Sequence, residues 1–359
     1  MKEGFSTQDF LQVTRAKFQR ELECLKPSFA IFQITAGCNL RCKYCGADST
    51  EPAEDELTTE EIYALVRNLK RAGTTYLSLG GGEPTLRKDL LEIIAYTSPI
   101  LGVGMVTNGI LIDEEYACGL KYAGLSVVDI SLDGPSAATN DPLRGEGSYD
   151  KGIRAIGNCK KAGIPVIDIQ TTISQGNYKE LPLIIRLALD LEVNIVINEF
   201  IPFGRAQGRV DLQLTNEQRR DMQRYLLEQQ GLFGRQQIKF DGYYIVAENQ
   251  KAKKRYAAPD KKDFNVGDPF GIYGFNLTVD GKVVPTIEIE AGDLRSQELQ
   301  DIWGSAEILI TLRDRARLKG KCGRCEYRYV CGGDRRRTHA LTGDPMAEDP
   351  LCWYEPALA

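Results

Sequence analysis

Phe29-Ala30-Ile31-Phe32-Gln33-Ile34-Thr35-Ala36-Gly37-Cys38-Asn39-Leu40-Arg41-Cys42-Lys43-Tyr44-Cys45 decides how the rest of the chain is read. The apolar run from Phe29 to Thr35 predicts a strand, and it leads directly into the cysteines. The thiols therefore fall on a loop at a strand's C-terminal end. Upstream, Thr7 to Glu23 reads as a helix. Downstream the pattern alternates: helix Thr59 to Ala72, strand Thr75 to Leu79, helix Asp89 to Thr97, strand Gly102 to Thr107, helix Asp113 to Tyr122 and strand Ser126 to Leu132. Helix Tyr149 to Ala162, strand Pro165 to Ile173, helix Tyr178 to Leu191 and strand Asn194 to Ile201 complete it. Strands joined by helical crossovers predict a parallel α/β sheet with its ligands at the strand ends.

Beyond residue 209 the periodicity weakens. A polar helix (Asn216 to Gln230), the tyrosine-bearing Phe240 to Val246 and the charged Lys251 to Lys262 read as a bridge. Phe275 to Val279 and Lys282 to Ile287 flank Asp280-Gly281, a hairpin signal, and Ser296 to Arg315 reads as one helix. The expected division is an N-terminal helical segment (1–28), a core (29–209), a bridge (210–270) and a small C-terminal domain (271–359). That last part is loop-rich with little apolar content, so bound metal is the expected staple.

The chain has 359 residues, 42% hydrophobic and 26% charged, with a formal charge of -5. This gives no basic field to recruit nucleic acid. No apolar run reaches bilayer length and the N-terminus lacks a signal-peptide core, so a cytoplasmic protein without a membrane partner is expected. The ten cysteines cluster as Cys38, Cys42 and Cys45, and as Cys322, Cys325, Cys331 and Cys352, while Cys24, Cys118 and Cys159 stand alone. Without a secretion signal, such clusters favour metal over disulfides. The single histidine, His339, removes most mixed cysteine and histidine zinc patterns.

Three thiolates from one short loop suit a 4Fe-4S cluster with one iron left open, whereas zinc would want a fourth ligand. Further motifs follow at successive strand ends: Gly81-Gly82-Glu83-Pro84, Thr107-Asn108-Gly109, Ser131-Leu132-Asp133-Gly134 and, in a loop before the next helix, Arg144-Gly145. Together with the CxxxCxxC spacing they resemble the radical S-adenosylmethionine (SAM) superfamily over roughly Phe29 to Ile201. The resemblance implies a partial (β/α)6 barrel whose cluster cysteines are Cys38, Cys42 and Cys45. It implies SAM contacts from Gly81, Gly82 and Glu83 to the amino group, from Ser131 toward the ribose and methionine portions and from Arg144 to the carboxylate, with Asn108 and Asp133 as further cofactor-binding residues. Tyr44 matches the aromatic that packs near adenine.

Cys322-Gly323-Arg324-Cys325, then Cys331-Gly332-Gly333 and Cys352, resemble the SPASM/twitch extension of that superfamily. A full SPASM domain holds two auxiliary clusters, with a cysteine four residues after the third of this run and often Pro-Cys in the hairpin. Here Arg335 and Thr286 stand at those positions. The expectation is one auxiliary 4Fe-4S cluster on Cys322, Cys325, Cys331 and Cys352, used for electron transfer. A zinc ribbon on the same thiolates is the alternative. His339 is expected on a surface loop.

Between Arg313 and Arg337 there are ten Lys/Arg against three acids, which would suit an anionic substrate or a solvated face. The tail is most similar to radical SAM enzymes that modify tetrapyrrole side chains in haem and d-type haem biosynthesis, and shares its architecture with peptide maturases. About 28 residues precede the first strand, against roughly 80 for a winged-helix leader-peptide module. A tetrapyrrole is therefore placed before a peptide as substrate, with flavodoxin or ferredoxin as electron donor. Tyr243 and Tyr244 are candidates to line the substrate cavity. A non-catalytic iron-sulfur redox protein would explain the cysteines but leave the Gly81 to Pro84 and Ser131 to Gly134 motifs without a use.

Overall fold

A computed structural model describes residues 6–23, 25–240 and 267–357. Tyr243 and Tyr244 lie outside the described residues. The chain opens with α1 (Thr7–Glu23) and β1 (Phe29–Thr35), and then alternates α2 (Thr59–Ala72), β2 (Tyr76–Gly81), α3 (Leu90–Thr97), β3 (Gly102–Thr107), α4 (Glu114–Ala123) and β4 (Val127–Ser131). It continues through α5 (Ala137–Arg144), α6 (Ser148–Ala162), β5 (Val166–Ile173), α7 (Leu181–Asp190) and β6 (Asn194–Glu199) to α8 (Asn216–Phe233) and β7 (Ile238–Phe240). The C-terminal part holds β8 (Gly274–Leu277), β9 (Lys282–Val284), β10 (Gly292–Asp293), α9 (Leu299–Ser305), α10 (Glu307–Arg313), α11 (Gly320–Arg324) and α12 (Arg335–Thr342).

Strands β1 to β6 pair in sequence order, all parallel, as the alternating pattern predicts. The helices cover the outer face because their apolar residues fall on one stripe. In α2, whose start is fixed by a Thr58–Glu61 capping box, Ile62, Leu65, Val66 and Leu69 are buried. Side chains on the other face, from β1 (Phe29, Ile31) round to β6 (Asn198, Glu199) and β7 (Phe240), line one shared cavity. The sheet therefore wraps into an open barrel.

Four features differ from the sequence reading. The sheet has ten strands: β7 pairs with β6, and β8 pairs in parallel with the free edge of β1, carrying β9 and β10 with it. Arg144 ends a helix, α5, which tolerates Pro142 inside it. The helix expected over Ser296 to Arg315 is split at Ala306, whose backbone is extended, giving α9 and α10. Finally, α1 packs on the C-terminal part, with Phe10 edge-on to Tyr327 at 5.4 Å and Phe18 beside Tyr329 and Ile272. No helix among the described residues is long and apolar enough to cross a membrane.

Candidate active site and the second cysteine cavity

The loop after β1 is closed at its base: Cys38 N–H donates to the Thr50 carbonyl and Thr50 N–H to the Ala36 carbonyl, each at 3.0 Å. Glu56 takes the Thr35 hydroxyl (2.9 Å) and the N–H groups of Ala36 (2.7 Å) and Ala53 (3.0 Å). Cys38, Cys42 and Cys45 are half-buried free thiols. Burial pushes Cys38 and Cys42 above the ordinary thiol range, with the Arg144 guanidinium opposing it at Cys42. From the end of β6, Arg205 donates to the carbonyls of Cys42 (3.1 Å) and Ser49 (2.8 Å) and pairs with Asp48 at 3.0 Å. Sequence reasoning missed this clamp; its only signal is a Gly-Arg turn just past a strand.

The Gly81-Gly82-Glu83 segment lies against the same loop. Gly82 N–H donates to the Thr35 carbonyl and Glu83 N–H to the Gly37 carbonyl, both at 2.8 Å. A Cβ on Gly82 would stand 2.0 Å from the Gly37 oxygen, so only glycine allows this approach. Glu83 is buried. Its Oε1 accepts from Thr85 N–H (3.1 Å) and from the hydroxyls of Thr85 (2.6 Å) and Thr107 (2.7 Å), while Oε2 accepts from Asn108 N–H at 2.8 Å. Asn108 Nδ2 reaches Asn39 of the cysteine loop at 2.7 Å.

Ser131 is buried at the end of β4, and Asp133, just beyond, is wholly buried. The Asp133 carboxylate accepts from Arg144 (2.6 Å), Thr172 N–H (2.7 Å) and the Tyr44 hydroxyl. Its oxygens are thus occupied by protein groups, and it holds Tyr44 and Arg144 in place. Burial and the Asp133 charge push the Tyr44 phenol well up. Burial opposes the Arg144 charge most strongly, but Asp133, Cys42 and Tyr44 together outweigh it and raise the guanidinium. Arg144 Nε is buried without a hydrogen-bond partner.

The barrel cavity has a volume of about 630 Å³. At its floor, strand register sets Asp129 beside Asp168, which accepts from Asn194 (2.7 Å) and Lys239 (2.5 Å). Burial, then the Asp168 charge, raises Asp129 to about 7. At its C-terminal wall stand Asp334, Arg336 and Arg337. Arg337 is committed to Glu199 of β6 (2.7 Å) and to Asp349 (3.0 Å), and Arg219 of α8 also reaches Glu199 (2.8 Å). Arg336 lies over the Phe270 ring at 3.9 Å. The basic run is therefore not one anionic-substrate face: Arg336 and Arg337 line this cavity, while Arg313 covers Trp303 at 4.4 Å and Arg315 reaches the Cys331 carbonyl at 3.3 Å.

Cys322, Cys325, Cys331 and Cys352 line a second, much smaller cavity of about 30 Å³, walled by Tyr327, Tyr354 and Pro356. Burial raises the Cys325 thiol, and takes Cys331 to about 12 and Cys352 to about 11. Among the described residues no three His, Cys, Asp or Glu side chains converge on a single-ion point. The four thiols ring one space. His339, in α12 rather than on a loop, is half-buried and lines neither cavity.

Residues 32–188 match the model of the radical SAM superfamily. An AdoMet-dependent heme synthase from Methanosarcina barkeri is 33% identical, over 92% of this chain and 97% of its own. The mycofactocin maturase MftC of Mycolicibacterium smegmatis is 29% identical, over 95% of this chain and 87% of its own. The solved structure of Streptococcus suis SuiB bound to its precursor peptide SuiA shares the fold, with a TM-score of 0.74 at 15% identity, covering 96% of this chain and 80% of SuiB. With three cysteines on the loop after β1 and glycine-rich and polar motifs closing round it, the chain belongs to the radical SAM superfamily, enzymes that bind a 4Fe-4S cluster and SAM.

Proposed function

We propose that this chain removes hydrogen from a side chain of a carboxylate-bearing tetrapyrrole held in the barrel cavity, as in haem-type biosynthesis. The observation that carries this reading is the similarity to AdoMet-dependent heme synthase along nearly the full length of both chains. Arg336, at the cavity wall, offers a guanidinium for a substrate carboxylate.

Cys38, Cys42 and Cys45 would hold the cluster that grips SAM, with one electron coming from a flavodoxin- or ferredoxin-type donor. When bound, the cluster supplies the electron that cleaves SAM to a 5'-deoxyadenosyl radical. The protein's part is to orient. Three donors crowd Glu83 Oε1 and one meets Oε2, which leaves Oε2 capacity for the SAM amino group. Gly81 and Gly82 keep that backbone side clear. Arg144 spends Nη1 on Asp133, and the rest of its guanidinium is the group for the SAM carboxylate. Tyr44 packs at the adenine side, Asn108 and Ser131 face the ribose and methionine portions, and Asp133 fixes Tyr44 and Arg144. Cys322, Cys325, Cys331 and Cys352, within a C-terminal domain over residues 271–359, would hold an auxiliary 4Fe-4S cluster with every iron ligated, which suits electron transfer.

The test is anaerobic reconstitution followed by incubation with SAM, strong reductant and a tetracarboxylate iron porphyrin. The expected result is about eight irons per chain, release of 5'-deoxyadenosine, and a mass change in the porphyrin. An unchanged porphyrin beside released 5'-deoxyadenosine would reject the tetrapyrrole. The likeness to mycofactocin maturase favours a peptide as the second reading, which predicts a modified precursor peptide in the same assay.

A further inference from the structure

Arg335 occupies the position at which a longer iron-sulfur extension places a further cysteine, and the structure shows what it does there. It begins α12 and is 2% exposed. Its Nη1 donates to the carbonyls of Pro345 (2.9 Å) and Ala347 (2.8 Å), on the segment leading to Cys352. Its Nη2 donates to Cys322 Sγ at 3.6 Å, and Asp349 N–H reaches the same sulfur at 3.4 Å. The backbone N–H of Arg335 is tied to Asp268 at 3.0 Å, which fixes the root of the side chain. None of these contacts is to solvent, so the guanidinium is a permanent part of the thiolate's surroundings.

The glycines after Cys331 exist for this arrangement. A Cβ on Gly333 would meet Arg335 Nη2 at 2.2 Å, and one on Gly332 would meet Arg315 Nη1 at 0.9 Å. Both glycines also have positive φ, 67° at Gly332 and 71° at Gly333. Cys-Gly-Gly is therefore a seat for two buried arginines. Burying two guanidinium groups close together is costly unless negative charge lies beside them. The neighbouring carboxylate of Asp268 supplies some; four thiolates on a cluster would supply more. An all-thiolate cluster gains one further negative charge on reduction, and hydrogen bonds to its sulfurs favour that more negative state.

We propose that Arg335 is a positioning residue that sets the reduction potential of the auxiliary cluster, raising it through a charged N–H···S hydrogen bond to the Cys322 thiolate. This rests on the reading that Cys322, Cys325, Cys331 and Cys352 hold a 4Fe-4S cluster. The cation beside Cys322 makes the cluster a better electron acceptor.

The experiment is a redox titration followed by electron paramagnetic resonance on the reconstituted full chain, reading the signal that SAM does not perturb. Arg335→Met should keep its iron and show a midpoint displaced to more negative potential. A tenfold lower reduced-to-oxidised ratio at fixed potential reads as about 59 mV for one electron. Arg335→Gln, which keeps a donor but no charge, should move less in the same direction. If Arg335→Met fails to fold, Arg335→Gln decides alone. Unchanged midpoints in iron-replete variants would overturn the proposal. A wild-type chain with only about four irons, none lost in Cys325→Ala, would overturn the cluster reading beneath it.

Discussion

Cys38, Cys42 and Cys45 hang from the end of a sheet, whereas Cys322, Cys325, Cys331 and Cys352 hang from loops and a set of arginines. Around the first loop the holding groups begin with main chain, the Cys38 and Thr50 bonds at its base and the Gly37 carbonyl taken by Glu83 N–H, and the Glu56 and Arg205 side chains add to them. Around the second they are side chains, Arg335 across the segment from Pro345 to Ala347 and Arg337 between Glu199 and Asp349. A large apolar cluster backs the barrel, while small ones, such as Phe10, Tyr327 and Val330, back the C-terminal loops. The first loop is shaped by the sheet that carries it; the second has little apolar core of its own, which under the proposed reading makes a bound cluster part of its stability.

Four measurements break or sharpen this contrast, taken from the largest effect to the smallest. Cys42→Ala should abolish release of 5'-deoxyadenosine yet leave thermal unfolding of the barrel almost unmoved, because the loop's base does not involve that thiol. Removal of iron by a chelator should expose amides of residues 314–357 to hydrogen exchange while the strands β1 to β6 stay protected; equal loss in both would end the comparison. Arg205→Met removes two charge-assisted bonds from the first loop, each about 1.5–3 kcal/mol. It should weaken SAM binding several-fold, as read by titration of the reduced cluster's spectrum, without altering the auxiliary signal.

The smallest effect lies at the cavity floor. Asp129 is raised from 3.8 to about 7, so the folded state binds its proton more tightly than the unfolded one. That contribution is fully present below about pH 4 and is lost as pH rises through about 7. Asp129→Asn, which still donates toward Asp168, should melt together with the parent at pH 4 and a few degrees above it at pH 8. Because Asp129 touches neither cysteine loop, iron content should be the same in both proteins.

Much of the core was legible because strand and motif coincide: each break in apolar patterning after β2, β3 and β4 carries its polar group, and the structure brings Glu83, Asn108, Asp133 and Arg144 around one loop. The four C-terminal cysteines were equally readable from spacing alone. What stayed hidden was relational. Pairing of β8 with β1 leaves no trace in either segment, since an edge accepts any strand of suitable register. α5 has Pro142 in it and so reads as loop. The basic run looked like one surface because sequence shows charge without direction; only in three dimensions do Arg313, Arg315, Arg335 and Arg337 turn inward to separate partners. That Asp133 supports Tyr44 and Arg144 from behind has no sign in its motif.

Phe10 and Phe18, near the beginning of the chain, find their aromatic neighbours roughly 300 residues later, at Tyr327 and Tyr329. During synthesis the first helix therefore waits, apolar side outward, until almost the whole polypeptide has left the ribosome. Its docking partner is the very segment that carries the second set of thiols. The opening helix thus acts as a late clasp, and two early phenylalanines are concealed only when the tail arrives.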